Sequence, residues 1–282
     1  MRVQYNGHGA STMKILLTLM IVLCYVQPLH ARRSIIIEAK GQECAPKGAF
    51  TAKTEEQSLN NAIADAHRRV VQYVLDLAGL KDTSPQGREL TELYTQAPVM
   101  GLQVLKKRKS GGYASGRKCA YVDIKAQIAP DEKVEARLQQ LTGEGATAPL
   151  LIKVWTERKV YYLGETVKFF VQANKPFYGS ILYKDAANGL SQIFPNEYHR
   201  DSYFESNKVY TFPTEGEYGI KVAPPAFGEE WITVYAATAP LDYIADIVAT
   251  GGGNSDRVKY PLPKAGTVIE YVDVSTTLTT KE

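Results

Sequence analysis

The sequence predicts a small α+β domain of strand–helix–hairpin type followed by an all-β sandwich domain. Three observations carry that expectation. Apolar residues recur at helical spacing from Leu59 to Leu77, between one β-branched run and a pair of strand-like runs. A small-residue stretch, Gly143-Glu144-Gly145-Ala146-Thr147-Ala148-Pro149, then interrupts the pattern. Beyond Leu150 the chain breaks into short β-rich segments separated by turn signals, the pattern of a sandwich.

Residues 1–31 are expected to be a cleaved export signal. Met13 and Lys14 precede an apolar run from Ile15 to Val26, and Pro28-Leu29-His30-Ala31 forms a cut site before Arg32. Met13 is taken as the initiator, the preceding residues being an over-long start. A run of 12 residues is too short to cross a bilayer, which needs roughly 20. Cys24 follows a bulky Leu23, unlike the small residue before a lipidated cysteine, and is expected to leave with the signal. No transmembrane span is then expected after cleavage, and the protein is expected in the periplasm or secreted.

The mature chain would hold 251 residues (282 less 31), and its formal charge falls from +3 to +1 without Arg2 and Lys14. A nearly neutral surface offers no electrostatic case for nucleic acid or anionic membranes. Two cysteines remain, Cys44 and Cys119, a count suited to one disulfide in an oxidising compartment. No Cys-x-x-Cys occurs, which argues against redox catalysis.

The first domain is expected over residues 34–141. Ile35 to Ala39 is β-branched and apolar and reads as a strand halted by Gly41. Thr54 with Gln57 resembles a capping box, Glu55 and Glu56 suit a helix N-terminus, and Gly79 supplies the stop. After a short helical or irregular stretch, Glu89 to Thr95, come strands Val99–Lys107 and Lys118–Ile128 around the glycine-rich 110–116 segment. On the second of these, Ala120, Val122, Ile124, Ala126 and Ile128 share one face; Tyr121, Asp123, Lys125 and Gln127 share the other. The long helix is expected to cover the apolar face. Pairing the first strand antiparallel to 118–128 brings Cys44 beside Cys119, within bridging distance. Asp131 to Leu141 has helical composition.

A linker over 142–149 leads to the sandwich, 150–282. Its expected strands are Leu151–Thr156, Thr166–Ala173, Gly179–Lys184, Leu190–Phe194, Val209–Phe212, Gly216–Val222, Glu230–Ala237 and Thr267–Thr277. Gly251-Gly252-Gly253-Asn254-Ser255 is expected to be a loop before the last of them.

Residues in the second domain resemble the bacterial domain of unknown function 4384 family. The matching elements are Tyr162-Leu163-Gly164-Glu165-Thr166-Val167, Gly179-Ser180-Ile181-Leu182-Tyr183-Lys184 and Asn188-Gly189. Gln192-Ile193-Phe194-Pro195-Asn196, Phe212-Pro213 and Trp231-Ile232-Thr233-Val234-Tyr235-Ala236 complete the pattern. The resemblance spans roughly 150–241 and implies an exported or envelope-associated binding or accessory module, with no agreed catalytic centre. The first domain resembles the N-terminal domain of flagellar assembly protein T and related envelope lipoproteins. The shared elements are Ile37-Glu38-Ala39-Lys40-Gly41, Ala62-Ile63-Ala64-Asp65-Ala66 and the closing hairpin.

Chemistry is sparsely encoded. His67 and His199 are the histidines beyond the signal. His67 is expected to face solvent, and one loop histidine lacks the partners of a zinc site. There is no Gly-x-Ser-x-Gly and no phosphate loop, so no cofactor, metal or catalytic residue is assigned. Tyrosine is abundant, 18 against eight phenylalanines, and suits half-wet strand faces. An aromatic recognition face is expected around Tyr178, Tyr198, Tyr203 and Phe204, with Asn196 and His199 in the adjoining polar loop. The expected function is non-catalytic binding or assembly in the cell envelope, the partner being an envelope protein or glycan. The alternative is an envelope hydrolase acting on glycan or peptide, whose paired carboxylates meet only in space.

Overall fold

The computed structural model describes residues 32–111, 116–197, 199–214, 219–248, 263–264 and 266–282. The expected signal, Cys24, Tyr198 and the Gly251–Ser255 loop lie outside these. The chain opens with strand β1 (Arg32–Pro46) and helix α1 (Ala52–Ala78), then α2 (Pro85–Thr95). The hairpin β2 (Val99–Ser110) and β3 (Arg117–Ile128) follows, then α3 (Glu132–Thr142). This is the strand–helix–hairpin unit the sequence predicts.

β3 pairs antiparallel with both β1 and β2. Its residues Val122, Ile124, Ala126 and Ile128 form a core with Ile35, Ile37 and Ala39 of β1 and Ala62, Ala66, Val70 and Val74 of α1. In that register Cys44 stands directly opposite Cys119, and the two form a disulfide with Cα atoms 4.1 Å apart.

Several local details differ from expectation. β1 does not stop at Gly41. A Cβ there would sit 1.9 Å from the Ser58 carbonyl oxygen and 2.5 Å from the Ala62 nitrogen, so the glycine is where α1 crosses closest to the strand. The helix begins earlier than Thr54: the Thr51 N–H donates to Thr54 Oγ1 at 3.3 Å, and Gly79 closes it in left-handed conformation, φ 62°. α2 starts at Pro85 behind Ser84, whose hydroxyl accepts from the Gly87 N–H at 3.0 Å.

The second region contains β4 (Ile152–Thr156), β5 (Val160–Tyr162), β6 (Thr166–Val167), β7 (Phe169–Ala173), β8 (Phe177–Lys184), β9 (Leu190–Phe194) and β10 (Tyr203–Phe204). β11 (Tyr210–Phe212), β12 (Ile220–Lys221), β13 (Glu229–Ala237) and β14 (Ile269–Lys281) complete it. β5 and β10 were not anticipated. Each is only two or three residues long and carries no periodicity to read. A three-stranded sheet, β11-β7-β4, faces β8, β13 and β14 across a core that includes Phe169, Phe177, Phe194, Phe204, Phe212, Ile232, Val234 and Val274.

β14 returns to pair with β1 over Arg32–Ile36 while also pairing with β13. The result is one sheet in the order β10-β8-β13-β14-β1-β3-β2, with β5 and β9 paired to it. One face of this sheet is covered by α1 above β1 and β3, and by the three-stranded sheet above β14, β13 and β8. The opposite face is covered by residues 238–248, where Ala239, Ile244 and Val248 pack on Ile36, Ile269 and Tyr271.

That second covering layer also buries part of the Tyr121–Gln127 face of β3. Lys125 is 5 % exposed. Its ammonium donates to the Tyr243 carbonyl at 2.6 Å and lies 3.9 Å from the centre of the Tyr243 ring. Burial lowers its pKa, against the opposing pull of Glu38 and Asp246.

Candidate functional site

The turn after β9 is held by its own polar side chains. Asn196 Oδ1 accepts from the His199 N–H at 2.7 Å, and the Asn196 N–H donates to the His199 carbonyl at 2.9 Å. Asn196 Nδ2 donates to the Ile193 carbonyl at 3.0 Å, while His199 Nε2 lies 3.1 Å from Thr214 Oγ1. Asn196 and His199 therefore shape the loop. Asp201 then accepts from the Tyr203 N–H at 2.8 Å and starts β10.

β10 is the end strand of the large sheet, with Tyr203 opposite Tyr178 and Phe204 opposite Phe177. Strand alternation sends the two neighbours to opposite faces. Tyr203 is 42 % exposed, and its ring meets that of Tyr178 edge-on at 5.4 Å. Burial, then the nearby Tyr203 and Asp201, raises the Tyr178 pKa.

Phe204, by contrast, is 1 % exposed. It stacks on Phe177 at 4.4 Å and meets Phe194 and Tyr210 edge-on. Gly179 makes room: a Cβ there would lie 2.9 Å from the Phe204 ring. The expected aromatic face is thus corrected. Phe204 belongs to the sandwich core, and the surface element among the described residues is the Tyr178–Tyr203 pair.

His67 is also not solvent-facing. It is half-buried on α1, with Nδ1 3.0 Å from the Ile63 carbonyl and Nε2 2.9 Å from the Ala97 carbonyl. It ties α1 to the segment entering β2.

A second polar cluster lies where the helical layer meets the sandwich. Glu270 of β14 sits opposite Ile35 of β1 and is 5 % exposed. It accepts from Tyr73 Oη at 2.6 Å, from Lys175 Nζ at 3.0 and 3.1 Å, and from the Leu150 N–H at 3.0 Å. Burial, then the Glu270 charge and hydrogen bond, drives the Tyr73 pKa far up.

Beside it a cavity of about 30 Å³ is lined by Arg33, Tyr73, Tyr94, Glu135 and Glu270, among others. The Arg33 N–H donates to Glu135 Oε1 at 3.1 Å, and Arg33 Nε is buried without a protein partner. Burial pushes the Glu135 carboxyl up to about 7, with Arg33 pulling the other way.

These seam residues were missed from sequence. One signal existed: Glu270 shares its strand face with Val272 and Val274, and a carboxylate on an apolar face implies buried partners.

Among the described residues no group of three or more His, Cys, Asp or Glu side chains is gathered to hold a metal ion. No described helix is long and apolar enough to cross a membrane.

Residues 160–240 match the family described as Domain of unknown function (DUF4384). That segment runs from β5 through β13 and contains the Asn196–His199 turn and the Tyr178–Tyr203 pair. No curated protein matches the chain.

Proposed function

We propose that this chain is an exported envelope protein that works as a non-catalytic binding or accessory module, engaging an envelope protein or glycan through the surface around Tyr178 and Tyr203. The observation that carries the reading is the edge placement of that pair. Two tyrosines lie side by side on the last strand pair of a large sheet, one of them 42 % exposed, next to a turn braced by Asn196 and His199. Tyrosine offers apolar area and a polar tip at little conformational cost, which favours it at recognition surfaces. The Cys44–Cys119 bridge supports an oxidising compartment.

The hydrolase reading would need Glu135 and Glu270 to reach a substrate. They converge on a cavity of about 30 Å³, space for a water molecule or two but not for a sugar ring or peptide bond.

The test is photo-crosslinking in intact envelopes, from an unnatural residue at position 206, three residues after Tyr203. Wild type is expected to give a discrete adduct that Tyr178→Ala/Tyr203→Ala removes while the disulfide and thermal transition persist. An unchanged adduct in the double variant, or recovery of the protein from the cytosol with both thiols reduced, would overturn the proposal.

A further inference from the structure

The far end of the same sheet carries a different kind of surface. β2 is the terminal strand there, 12 residues long. Exposed large apolar side chains are concentrated on it: Met100 66 %, Leu102 41 %, Val104 40 % and Leu105 42 %. Leu102 stands opposite Ala126 and Val104 opposite Ile124, so both lie on the face that α1 covers farther in. The helix packs over β1 and β3 and leaves this ledge uncovered. Register shifts at Met100 and Leu105 turn those two side chains out of the ladder.

Four consecutive cations follow, Lys106, Lys107, Arg108 and Lys109. Arg108 is answered by Asp123 and Lys109 by Glu55. Lys106 and Lys107 have no ion pair among the described residues. The strand is therefore divided. Lysines on an edge discourage uncontrolled pairing, whereas the preceding half offers unpaired backbone beside apolar side chains, the features that a recruited strand uses.

We infer that β2 is a docking edge for an extended acidic segment of a partner protein, which adds to the sheet as a further strand. Alternate side chains of the added strand would cover Leu102 and Val104, and its carboxylates would meet Lys106 and Lys107. Charge complementarity selects this occupant over a second copy of the chain, which would bring a second basic run to the same edge. The inference is independent of the Tyr178–Tyr203 reading, since the two lie at opposite ends of the sheet.

The probe is a synthetic ten-residue peptide, four glutamates followed by alternating valine and threonine, with a control in which lysines replace the glutamates. The acidic peptide is expected to slow hydrogen exchange of the amides in 99–105, and the lysine peptide to leave them unchanged. Lys106→Glu/Lys107→Glu and, separately, Leu102→Thr/Val104→Thr are each expected to weaken binding by about tenfold or more, the first losing its salt dependence with the charges. The Cys44–Cys119 bridge and thermal transition report that the variants remain folded. Equal effects of both peptides would overturn the inference. So would binding of a DNA oligonucleotide in place of the acidic peptide, or a self-associated dimer abolished by Leu102→Thr/Val104→Thr. No change in exchange with either peptide would also overturn it.

Discussion

Tyr73 on α1 donates its phenolic hydrogen bond to Glu270 on β14 at 2.6 Å, joining two residues 197 positions apart in the chain. Glu270 also answers Lys175 and the Leu150 backbone. One carboxylate thus fixes the helix, the entry to β4, the turn before β8 and the last strand. Removing it would leave the largely buried Lys175 ammonium without its anion. Glu270→Ala is therefore expected to cost on the order of 3 kcal/mol, the penalty of breaking a buried pair from one side. Tyr73→Phe, which loses one charged hydrogen bond, should cost about 1–2 kcal/mol. Urea unfolding of both variants checks the order. Equal small effects would mean that the cluster is open to water.

Glu135 predicts a pH dependence with a definite sign. Its carboxyl is raised from 4.5 to about 7 in the folded protein, chiefly by burial. Between those values the folded state binds a proton that the unfolded chain releases, so this group's contribution falls as pH rises through the window. Glu135→Gln, which keeps an acceptor for the Arg33 N–H, should be neutral near pH 4.5 and stabilising by on the order of 1 kcal/mol at pH 8, after discounting for partial exposure. Thermal scans of both proteins across pH 4.5–8 measure the difference. A pH-independent difference would remove the assignment.

Gly41 separates a packing glycine from a strand-breaking one. Gly41→Ala places a methyl within 1.9 Å of the Ser58 carbonyl, so α1 must lift from β1. The expected loss is about 2–4 kcal/mol. Gly48→Ala, with nothing within 4 Å of the added carbon, is the matched control and should be neutral or slightly stabilising. If the first variant does not accumulate while the second does, the conclusion is the same. Equal stability would contradict the close crossing.

What was legible in the sequence was what short-range pattern encodes. The α1 periodicity, its Gly79 stop, the β2–β3 hairpin and the Cys44–Cys119 neighbourhood all follow from residue spacing within one supersecondary unit. Gly41 was misread because a strand glycine looks the same whether it ends the strand or receives a helix. The pairing of β14 with β1 joins the first and last of the described strands, and no local signal encodes such a partner. The Glu270 cluster was hidden for the same reason, its members coming from α1, the β7–β8 turn and β14. At the aromatic loop Tyr203 and Phe204 could be sorted only by knowing that they form a strand.

The disulfide closes a loop with a sequence separation of 75. Cys44→Ser/Cys119→Ser should lower stability by about 2–4 kcal/mol, and reductant should reproduce the effect in wild type but not in the variant. Denaturant midpoints with and without dithiothreitol give the comparison. A wild-type midpoint insensitive to complete reduction would show that the β1–β3 ladder holds without the bridge.

The sharpest test of the proposed recognition surface sets Tyr203 against its neighbour. Phe204 fills the core against Phe177, Phe194 and Tyr210, so Phe204→Ala should cost about 3–5 kcal/mol. Tyr203, with 42 % of its surface in water and its ring edge-on to Tyr178, should lose less on truncation to alanine, about 1–2 kcal/mol for the aromatic pair and its partial burial. Partner capture should respond in the opposite order once measurement is confined to folded protein. Tyr203→Ala should abolish crosslinking to the proposed partner, whereas Phe204→Leu, which keeps an apolar side chain in most of the core space, should leave it intact. If Phe204→Leu removed the crosslink and Tyr203→Ala spared it, β10 would act through the shape of the sandwich core, and the exposed tyrosine pair would not be the contact.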